Sequence, residues 1–417
     1  MAKEFFNTET QRHRERGAPA RPLHGTPNGR ARSPSAPHGE GARPHAPQAG
    51  RAVAPRPPPL ALFADVLSII NGKNQKAVEA KDGRYPIYGS GGVMGRANDW
   101  LCDANTVIIG RKGSINNPIY VEEPFWNVDT AFGLVADRAK LLPKYLYYFC
   151  VKFDFTKLNT TVTIPSLTKA NLLKVQIPLP LLPEQKRIAA ILDKICEMKR
   201  NAEARLQKLD LLVKARFVEM FDSAESEAWK CKAIEDICCL IADCPHTTAQ
   251  DEGAGYPLVR TPNIGKGRLV YDKMHYVSEA VYNQRNKRAV PCARDLILAR
   301  EAPAGNIAVI QQDEKVCLGQ RTVLLRPNLA IIDSEYMAYR ILSEKVQRTI
   351  LGYSSGSTVA HLNVREIRKL EIVLPPLALQ RQFAAFVEKV EGLKATAKKE
   401  LEQVDLLYRA KLQEFFG

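Results

Sequence analysis

Long apolar runs are missing from this chain of 417 residues. A membrane-spanning helix needs about 20 consecutive apolar residues, and the N-terminus also lacks the apolar core of a secretory signal peptide. The nine cysteines are scattered without the regular spacing of a disulfide framework. These absences argue against a membrane protein and against a disulfide-stapled secreted protein, and they favour a reducing, cytoplasmic compartment.

Catalytic motifs are equally scarce. No GxxxxGK(S/T) phosphate loop is present. The tetrapeptide 117–120 resembles the Asn-Pro-Pro-Tyr box of amino-methyltransferases, but Ile119 replaces the second proline. The glycine-rich stretch 89–95 does not follow the first strand of a doubly wound sheet. A zinc site would need a fourth ligand and tighter paired spacing than is offered by Cys239, Cys244 and His246. We expect no catalytic residue, metal or cofactor on this chain.

Positive charge is in excess. The 60 Lys and Arg residues outnumber 45 Asp and Glu residues, which gives a formal net charge of +15 and a pI of about 9.3. Such a balance indicates an acidic partner, most often nucleic acid. Residues 1–59 hold ten of the basic residues against four acidic ones. This segment is rich in Arg and Pro and poor in large aliphatics, so we expect a disordered tail with weak, nonspecific attraction to DNA or no role.

One stretch of the sequence occurs twice. Residues 174–221 align with 369–416 without a gap, at an offset of 195 positions. Each copy has a proline where the helix would begin, and proline is favoured there because its missing N–H would be unpaired anyway. The copies predict two long helices, within 181–222 and 376–417, and about 38 residues of helix would be about 57 Å long. The identical pairs include Pro180/Pro375, Gln185/Gln380, Ala189/Ala384, Ala190/Ala385 and Asp210/Asp405.

Apolar residues in both copies recur at alternating steps of three and four, which is the pattern of a coiled-coil seam. Lys199 and Lys394 interrupt the seam at equivalent positions, and Gly392 weakens the second copy, as does Leu379 in place of Glu184. Two matched seams favour pairing of the helices over each helix lying on its own domain. The predicted pairing residues are Ile188, Leu192, Ile195, Leu206, Leu209, Val213, Phe383, Val387, Val390, Leu401, Val404 and Tyr408.

A globular segment precedes each helix, at 60–180 and at 223–375. The first segment opens with LALFADVLSII, which we interpret as a short apolar helix, and continues with short strand-like runs, glycine-rich turns and an aromatic helix at 143–155. The second repeats this order in weaker form, with CKAIEDICCLIAD in place of the opening helix. Short mixed strands without regular βαβ units argue against a doubly wound sheet. We predict an α+β fold with two similar domains alternating with two helices in a pseudo-twofold repeat.

Polar loops suited to DNA recur in both domains. Arginine matches guanine and Asn or Gln matches adenine in the major groove, whereas Lys, Ser and Thr suit phosphates. The candidates in the first domain are Lys73, Asn74, Gln75, Lys76, Tyr88, Ser90, Arg111, Lys112, Ser114, Thr160, Thr161 and Thr163. The candidates in the second domain are His246, Thr247, Thr248, Arg260, Asn263, Arg300, Gln320, Arg321, Ser355, Ser357 and Thr358.

Over residues 60–417 the pattern resembles the specificity subunit of a type I restriction–modification enzyme. The resemblance rests on LPLLPEQKRIAAILDK, its degenerate copy LPPLALQRQFAAFVEK, the loop TIPSLTKANL, and YPIYGSGGVMG with IIGRKGS. It implies that 60–180 and 223–375 are target-recognition domains, each reading half of a divided, asymmetric DNA site, and that the helices form an antiparallel spacer. Arg111 and Arg300 stand at matching places, so replacing Arg300 is expected to weaken one half-site. The tail 1–59 departs from the family pattern.

The resemblance also implies that this chain is not an enzyme. Two methyltransferase subunits would bind S-adenosylmethionine, and restriction subunits would use ATP and Mg. Three alternatives stay open: the recognition subunit of a type IIB-like enzyme, a DNA methyltransferase that uses residues 117–120 and 89–95, and a coiled-coil scaffold without DNA affinity.

Overall fold

The computed structural model describes residues 57–158, 166–222, 228–352 and 361–417. Two domains of mixed helix and sheet alternate with two helices of 40 residues each. Among the described residues, no helix is long and apolar enough to span a membrane.

The first domain opens and closes with short strands and contains two small sheets. Its elements are β1 (Leu60–Leu62), α1 (Phe63–Val66), β2 (Leu67–Asn71), β3 (Tyr85–Gly89), β4 (Gly92–Ala97), β5 (Thr106–Gly110), β6 (Ile119–Val121), β7 (Trp126–Asn127), β8 (Ala131–Ala136), α2 (Pro143–Lys152), a 3-10 turn (Phe155–Leu158), α3 (Lys169–Leu173) and β9 (Gln176–Pro178). One sheet is antiparallel in the order β2–β8–β5–β6, and β3 pairs antiparallel with β4 and parallel with β7. The pairing of β1 with β9 closes the domain.

The first long helix, α4 (Leu182–Phe221), leads into the second domain. The elements that follow it are β10 (Lys230–Ala233), α5 (Ile234–Ile237), β11 (Cys238–Asp243), β12 (Tyr256–Val259), a 3-10 turn (Thr261–Asn263), β13 (Lys266–Gly267), β14 (His275–Val277), α6 (Glu279–Arg285), β15 (Leu296–Ala299), β16 (Ile307–Val309), β17 (Cys317–Leu318), β18 (Thr322–Pro327), α7 (Ser334–Ile341), α8 (Glu344–Gly352), α9 (Val364–Lys369), β19 (Glu371–Leu374) and the second long helix α10 (Leu377–Phe416).

The two domains share one topology. The order β11–β18–β15–β16 repeats that of the first domain and adds β13 at its edge, while β14–β12–β17 repeats the smaller sheet. The pairing of β10 with β19 closes the second domain in the same way. The predicted α+β fold with an internal repeat is confirmed.

The prediction of an apolar helix at 60–70 is wrong. Only the four residues of α1 are helical, and strands flank them on both sides. In β2, Leu67 and Ile69 are buried while Ser68 between them is exposed, which is the alternation of a strand. The matching stretch 231–243 fails as a helix for the same reason, since α5 also spans only four residues.

Three ion pairs cross between the long helices and fix their relative direction. As the residue number rises along α4, the partner's number falls along α10, so the helices are antiparallel. The pairs are Lys199–Asp405 at 2.7 Å, Arg205–Glu400 at 3.1 Å and Lys394–Asp210 at 2.5 Å.

These ion pairs follow the internal repeat. The two outer pairs are one interaction made twice, because both lysines and both aspartates are equivalent under the offset of 195. Arg205 and Glu400 are themselves equivalent positions, so their pair marks the pseudo-twofold axis. Lys199 and Lys394, which interrupt the apolar seam, therefore each form an ion pair that joins the helices.

The predicted pairing residues have two kinds of neighbour. Near the axis Leu206 and Leu401 are half-buried, as is Tyr408 further along α10. Towards the ends the seam also packs into the domains. The core of the first domain includes Ile188, Leu192, Ile195 and Val404. The core of the second includes Leu209, Val213, Phe383, Val387 and Val390.

Each helix begins in one domain and ends against the other. The C-terminal residue of α4, Phe221, packs edge-on against Tyr336 of the second domain, with ring centroids 4.7 Å apart. The equivalent residue of α10, Phe416, packs on Tyr145 of the first domain, with centroids 5.0 Å apart. Gly392 does not interrupt α10, and a Cβ there would meet no atom within 4 Å. Each domain thus packs against both long helices.

Candidate nucleic-acid interface

Four loops of the first domain converge at one end of its sheets. We call the loops 72–76, 88–91, 110–114 and 127–131 the first loop surface. The N–H of Lys73 donates to the carbonyl of Asn127, and the N–H of Arg111 donates to the carbonyl of Thr130 at 2.7 Å. The structure therefore brings together three loops that the sequence analysis had only named separately.

Two glycines make this convergence possible. A Cβ on Gly72 would lie 1.8 Å from the carbonyl oxygen of Val128, and a Cβ on Gly110 would lie 2.3 Å from that of Ser114. Any larger residue would push the loops apart. The glycines of these loops thus serve backbone packing within the domain.

Most candidates on the first loop surface face solvent. Tyr88, Ser90 and Gln75 are half-buried. The Tyr88 ring packs edge-on against Phe125, and burial, with a smaller contribution from Glu123, raises the pKa of its hydroxyl. The exposed candidates are Lys73, Asn74, Lys76, Arg111, Lys112 and Ser114. Thr160, Thr161 and Thr163 lie outside the described residues.

The loop 127–131 was missed by the sequence analysis. It lies between β7 and β8, accepts backbone hydrogen bonds from both neighbouring loops, and exposes Asp129 beside Arg111. The sequence feature that could have identified this loop is the polar Asn-Val-Asp-Thr stretch between two strand-like runs. Its position at the centre depends on the parallel pairing of β3 with β7, which is a long-range feature.

The second domain carries a charged network at the equivalent end, which we call the second loop surface. Asp243 accepts from Arg300 at 3.2 Å and lies 3.1 Å from His246. Glu301 lies 3.1 Å from Arg321 and accepts from His361 Nδ1 at 2.5 Å. Asp243 and His361 were absent from the candidates, because nothing in the sequence shows which side chains contact Arg300.

Two candidates of the second domain are buried and make contacts within the fold instead of facing solvent. Asn263 is fully buried, and its amide donates to the carbonyls of Val270 and Asp272. Arg300 is only 9% exposed and donates from Nε to the carbonyl of Leu362 at 2.9 Å. Arg300 occupies the place that matches Arg111 but is not exposed as Arg111 is, because its guanidinium donors already have partners in Leu362, Asp243 and His361.

The remaining candidates of the second domain divide by exposure. Arg260 is half-buried and donates to the carbonyl of Lys273, while Gln320 is half-buried and donates to the carbonyl of His246. The exposed candidates are His246, Thr247, Thr248 and Arg321. Ser355, Ser357 and Thr358 lie outside the described residues.

The two stretches considered as methyltransferase motifs belong to strands and a hairpin of the first domain. Residues 117–120 lead into the strand β6, and 89–95 form the β3–β4 hairpin. In the described part of the chain, no group of three His, Cys, Asp or Glu residues is placed to hold a metal ion. Two clefts of about 410 and 430 Å³ lie where each long helix meets its domain, lined at equivalent positions by Ala189 and Ala384.

Two domains of one topology thus present different polar surfaces, and both domains pack against the same antiparallel helix pair. The family described as type I restriction modification DNA specificity domain matches residues 63–210 and 226–405. The chain belongs to this family.

Individual relatives are distant in sequence. The type I restriction enzyme MjaVIII specificity subunit of Methanocaldococcus jannaschii is 21% identical over 375 residues, 82% of this chain and 88% of that subunit. The EcoBI specificity subunit of Escherichia coli is 21% identical over 314 residues, 68% of this chain and 66% of that subunit. The MjaX specificity subunit of M. jannaschii is 24% identical over 196 residues, which is 46% of each chain.

Solved structures share the architecture. A type I restriction–modification S subunit from M. genitalium superposes with a TM-score of 0.56 at 16% identity, over 86% of this chain and 96% of that one. A chain from a study of complex assembly and conformational transition in the type I system gives a TM-score of 0.53 at 16% identity, over 88% and 99%. At such identities the likeness concerns the fold alone.

Proposed function

We propose that this chain is the sequence-specific DNA-binding subunit of a type I restriction–modification system. It reads a two-part, asymmetric DNA site and directs methylation and cleavage by partner subunits. The observation that carries the proposal is the repeat itself: two domains of one topology, with loop surfaces at equivalent ends, joined through antiparallel helices.

The asymmetry of the proposed site follows from the side chains. The first loop surface exposes four cations, and a carboxylate appears there at Asp129. The second carries two acidic residues in contact with its arginines, and a histidine beside each of these carboxylates. Since bases are recognised by the donors and acceptors that reach the groove, equivalent surfaces with different side chains read different half-sites.

The exposed apolar residues of the helices support docking of two copies of one partner. Three exposed positions on α4 have exposed apolar counterparts on α10 at the offset of 195: Met198/Leu393, Leu211/Leu406 and Leu212/Leu407. A repeated apolar surface suits a repeated partner. We assign it to two methyltransferase subunits, which would bind S-adenosylmethionine, while restriction subunits would use ATP and Mg.

The proposal is tested by co-purifying the chain with the methyltransferase encoded beside it and mapping methylated bases on genomic DNA. Modified adenines within a single two-part motif are expected. A complex that methylates at a continuous palindrome, or at no defined sequence, would contradict it. Binding of S-adenosylmethionine by the chain alone would favour the methyltransferase alternative.

A further inference from the structure

The two sheets end in equivalent strand pairs. In the first domain β5 and β8 pair as far as Gly110 opposite Ala131, and Arg111 follows directly. In the second domain β15 and β18 pair as far as Ala299 opposite Thr322, and Arg300 follows. The backbone contacts also match, because each arginine N–H donates to the residue just before the facing strand, Thr130 or Arg321. Arg321 therefore occupies the position of Thr130.

The equivalent arginines differ in exposure for an electrostatic reason. Asp243 ends β11 and holds Arg300 through Nη1. Asn71 occupies the equivalent place at the end of β2, opposite Phe132, and supplies no charge. Among the described residues Arg111 has no ion pair, and its guanidinium lies over the Phe132 ring, 5.8 Å from the centroid. The first domain thus presents the arginine that the second domain buries.

In the second domain, Arg321 is exposed at the end of the sheet where Arg300 is buried. The side chain of Arg321 is 61% exposed, and its backbone has a φ of 63°, a left-handed conformation that non-glycine residues rarely adopt. Glu301, which stands where the first domain has Lys112, lies 3.1 Å from its Nε. Within the described residues neither Nη of Arg321 has a partner, so the edge that forms paired hydrogen bonds is free.

We propose that Arg321 is the specificity-determining arginine of the second half-site, in place of Arg300, and that Glu301 is its positioning residue. The free Nη edge, or Nη with Nε on rearrangement, suits the two acceptors of guanine, O6 and N7, in the major groove. Each domain then presents an arginine at the same corner of its sheet, directly after β5 in the first domain and directly before β18 in the second. This inference rests on the proposed function.

The experiment compares Arg321→Lys, Arg321→Ala and Arg111→Lys in the complex with its methyltransferase, by methylation mapping and by DNA binding. Arg321→Lys keeps the charge but loses the planar fork. It should reduce discrimination at one G·C pair of one half-site by roughly tenfold to a hundredfold, with nonspecific affinity retained. Arg111→Lys should relax the other half-site. Lys232→Ala, which removes an exposed charge on β10, is the control.

The outcomes separate the inference from the function it rests on. If Arg321→Lys keeps the full motif while Arg321→Ala weakens all sequences equally, Arg321 is a phosphate contact and the inference is overturned. If the unmodified complex shows no two-part motif, the proposed function fails as well. Glu301→Gln should weaken binding to the specific site without changing its preferred bases; a change in the preferred bases would contradict the positioning role.

Discussion

A buried glutamine at the start of each long helix fixes the domain to the helix. Gln380 is fully buried; its Oε1 accepts from the N–H of Asp333 and its Nε2 donates to the carbonyl of Pro375, both at 2.8 Å. Gln185 makes the equivalent bonds to the N–H of Leu142 and the carbonyl of Pro180. Each amide thereby satisfies backbone groups from both sides of the junction.

Replacing Gln380 with alanine should reduce the free energy of unfolding by about 2–3 kcal/mol, because the buried backbone groups of two segments lose their partners. The midpoint of urea unfolding measures this change. Gln382→Ala, at an exposed position of the same helix, is the control and should shift stability by less than about 0.5 kcal/mol. Equal effects of the two substitutions would contradict the role of Gln380 in joining the domain to the helix.

The roles of individual residues were only partly predictable from the sequence. Gln185 and Gln380 were visible as an identical pair, but their burial was not. Arg300 was correctly matched to Arg111 in position, yet its orientation depends on Asp243, which lies far away in sequence and meets it only through the pairing of β11 with β18. Side-chain type indicates what a residue is able to bind, whereas exposure depends on the fold.

At the scale of elements, the long helices were predictable and the short ones less so. The repeat and the seam located α4 and α10 to within a few residues, because a pattern sustained over many turns is unambiguous. The four-residue helices α1 and α5 were not, since tertiary pairing of the flanking strands overrides local periodicity there. Lys199 and Lys394, which interrupt the seam, were visible in the sequence. Their partners Asp405 and Asp210 become identifiable only once the helices are known to be antiparallel.

The two lysine pairs should differ in strength because their burial differs. The Lys394 side chain is 13% exposed and contacts Asp210 and Glu391, whereas that of Lys199 is 41% exposed and contacts Asp405. We expect Lys394→Ala to reduce the free energy of unfolding by about 1–2 kcal/mol and Lys199→Ala by less than about 1 kcal/mol. Urea unfolding of both variants tests this prediction. A larger loss for Lys199→Ala than for Lys394→Ala would show that burial does not determine the strength of these ion pairs.

The contacts of Lys394 with Asp210 and Glu391 predict that the stability of the protein depends on pH. Burial lowers the pKa of Lys394, but hydrogen bonds and charges from Asp210 and Glu391 outweigh it, so the net pKa is raised above 10.5. A cation whose pKa is higher when folded stabilises fully below its unfolded pKa and loses this contribution as pH rises through the folded value. The difference between the unmodified chain and Lys394→Ala should therefore persist at pH 7 and shrink above about pH 10.5. A difference unchanged at high pH would exclude a charge-based origin.

For the whole molecule, each helix starts in one domain and ends against the other, so neither helix varies in length without displacing both domains. Phe221 and Phe416 make these contacts at equivalent positions. The sequence predicted the alternation of domains and helices, but these crossed contacts follow from antiparallel packing and became visible only in the structure. The separation of the two loop surfaces is therefore set by helix length.

Insertion of one heptad into both helices, after Ala202 and after Ala397 near the pseudo-twofold axis, preserves the seam and moves the domains apart by about 10 Å. At 3.4 Å per base pair, the preferred spacer between half-sites should lengthen by about three base pairs. Those base pairs also turn one half-site by roughly 100° about the DNA axis, so affinity should fall while the half-site sequences stay the same. Methylation mapping gives the new spacer. A heptad in α4 alone breaks the register with α10 and should abolish sequence-specific methylation; an unchanged spacer in the double insertion would show that helix length does not set the spacing.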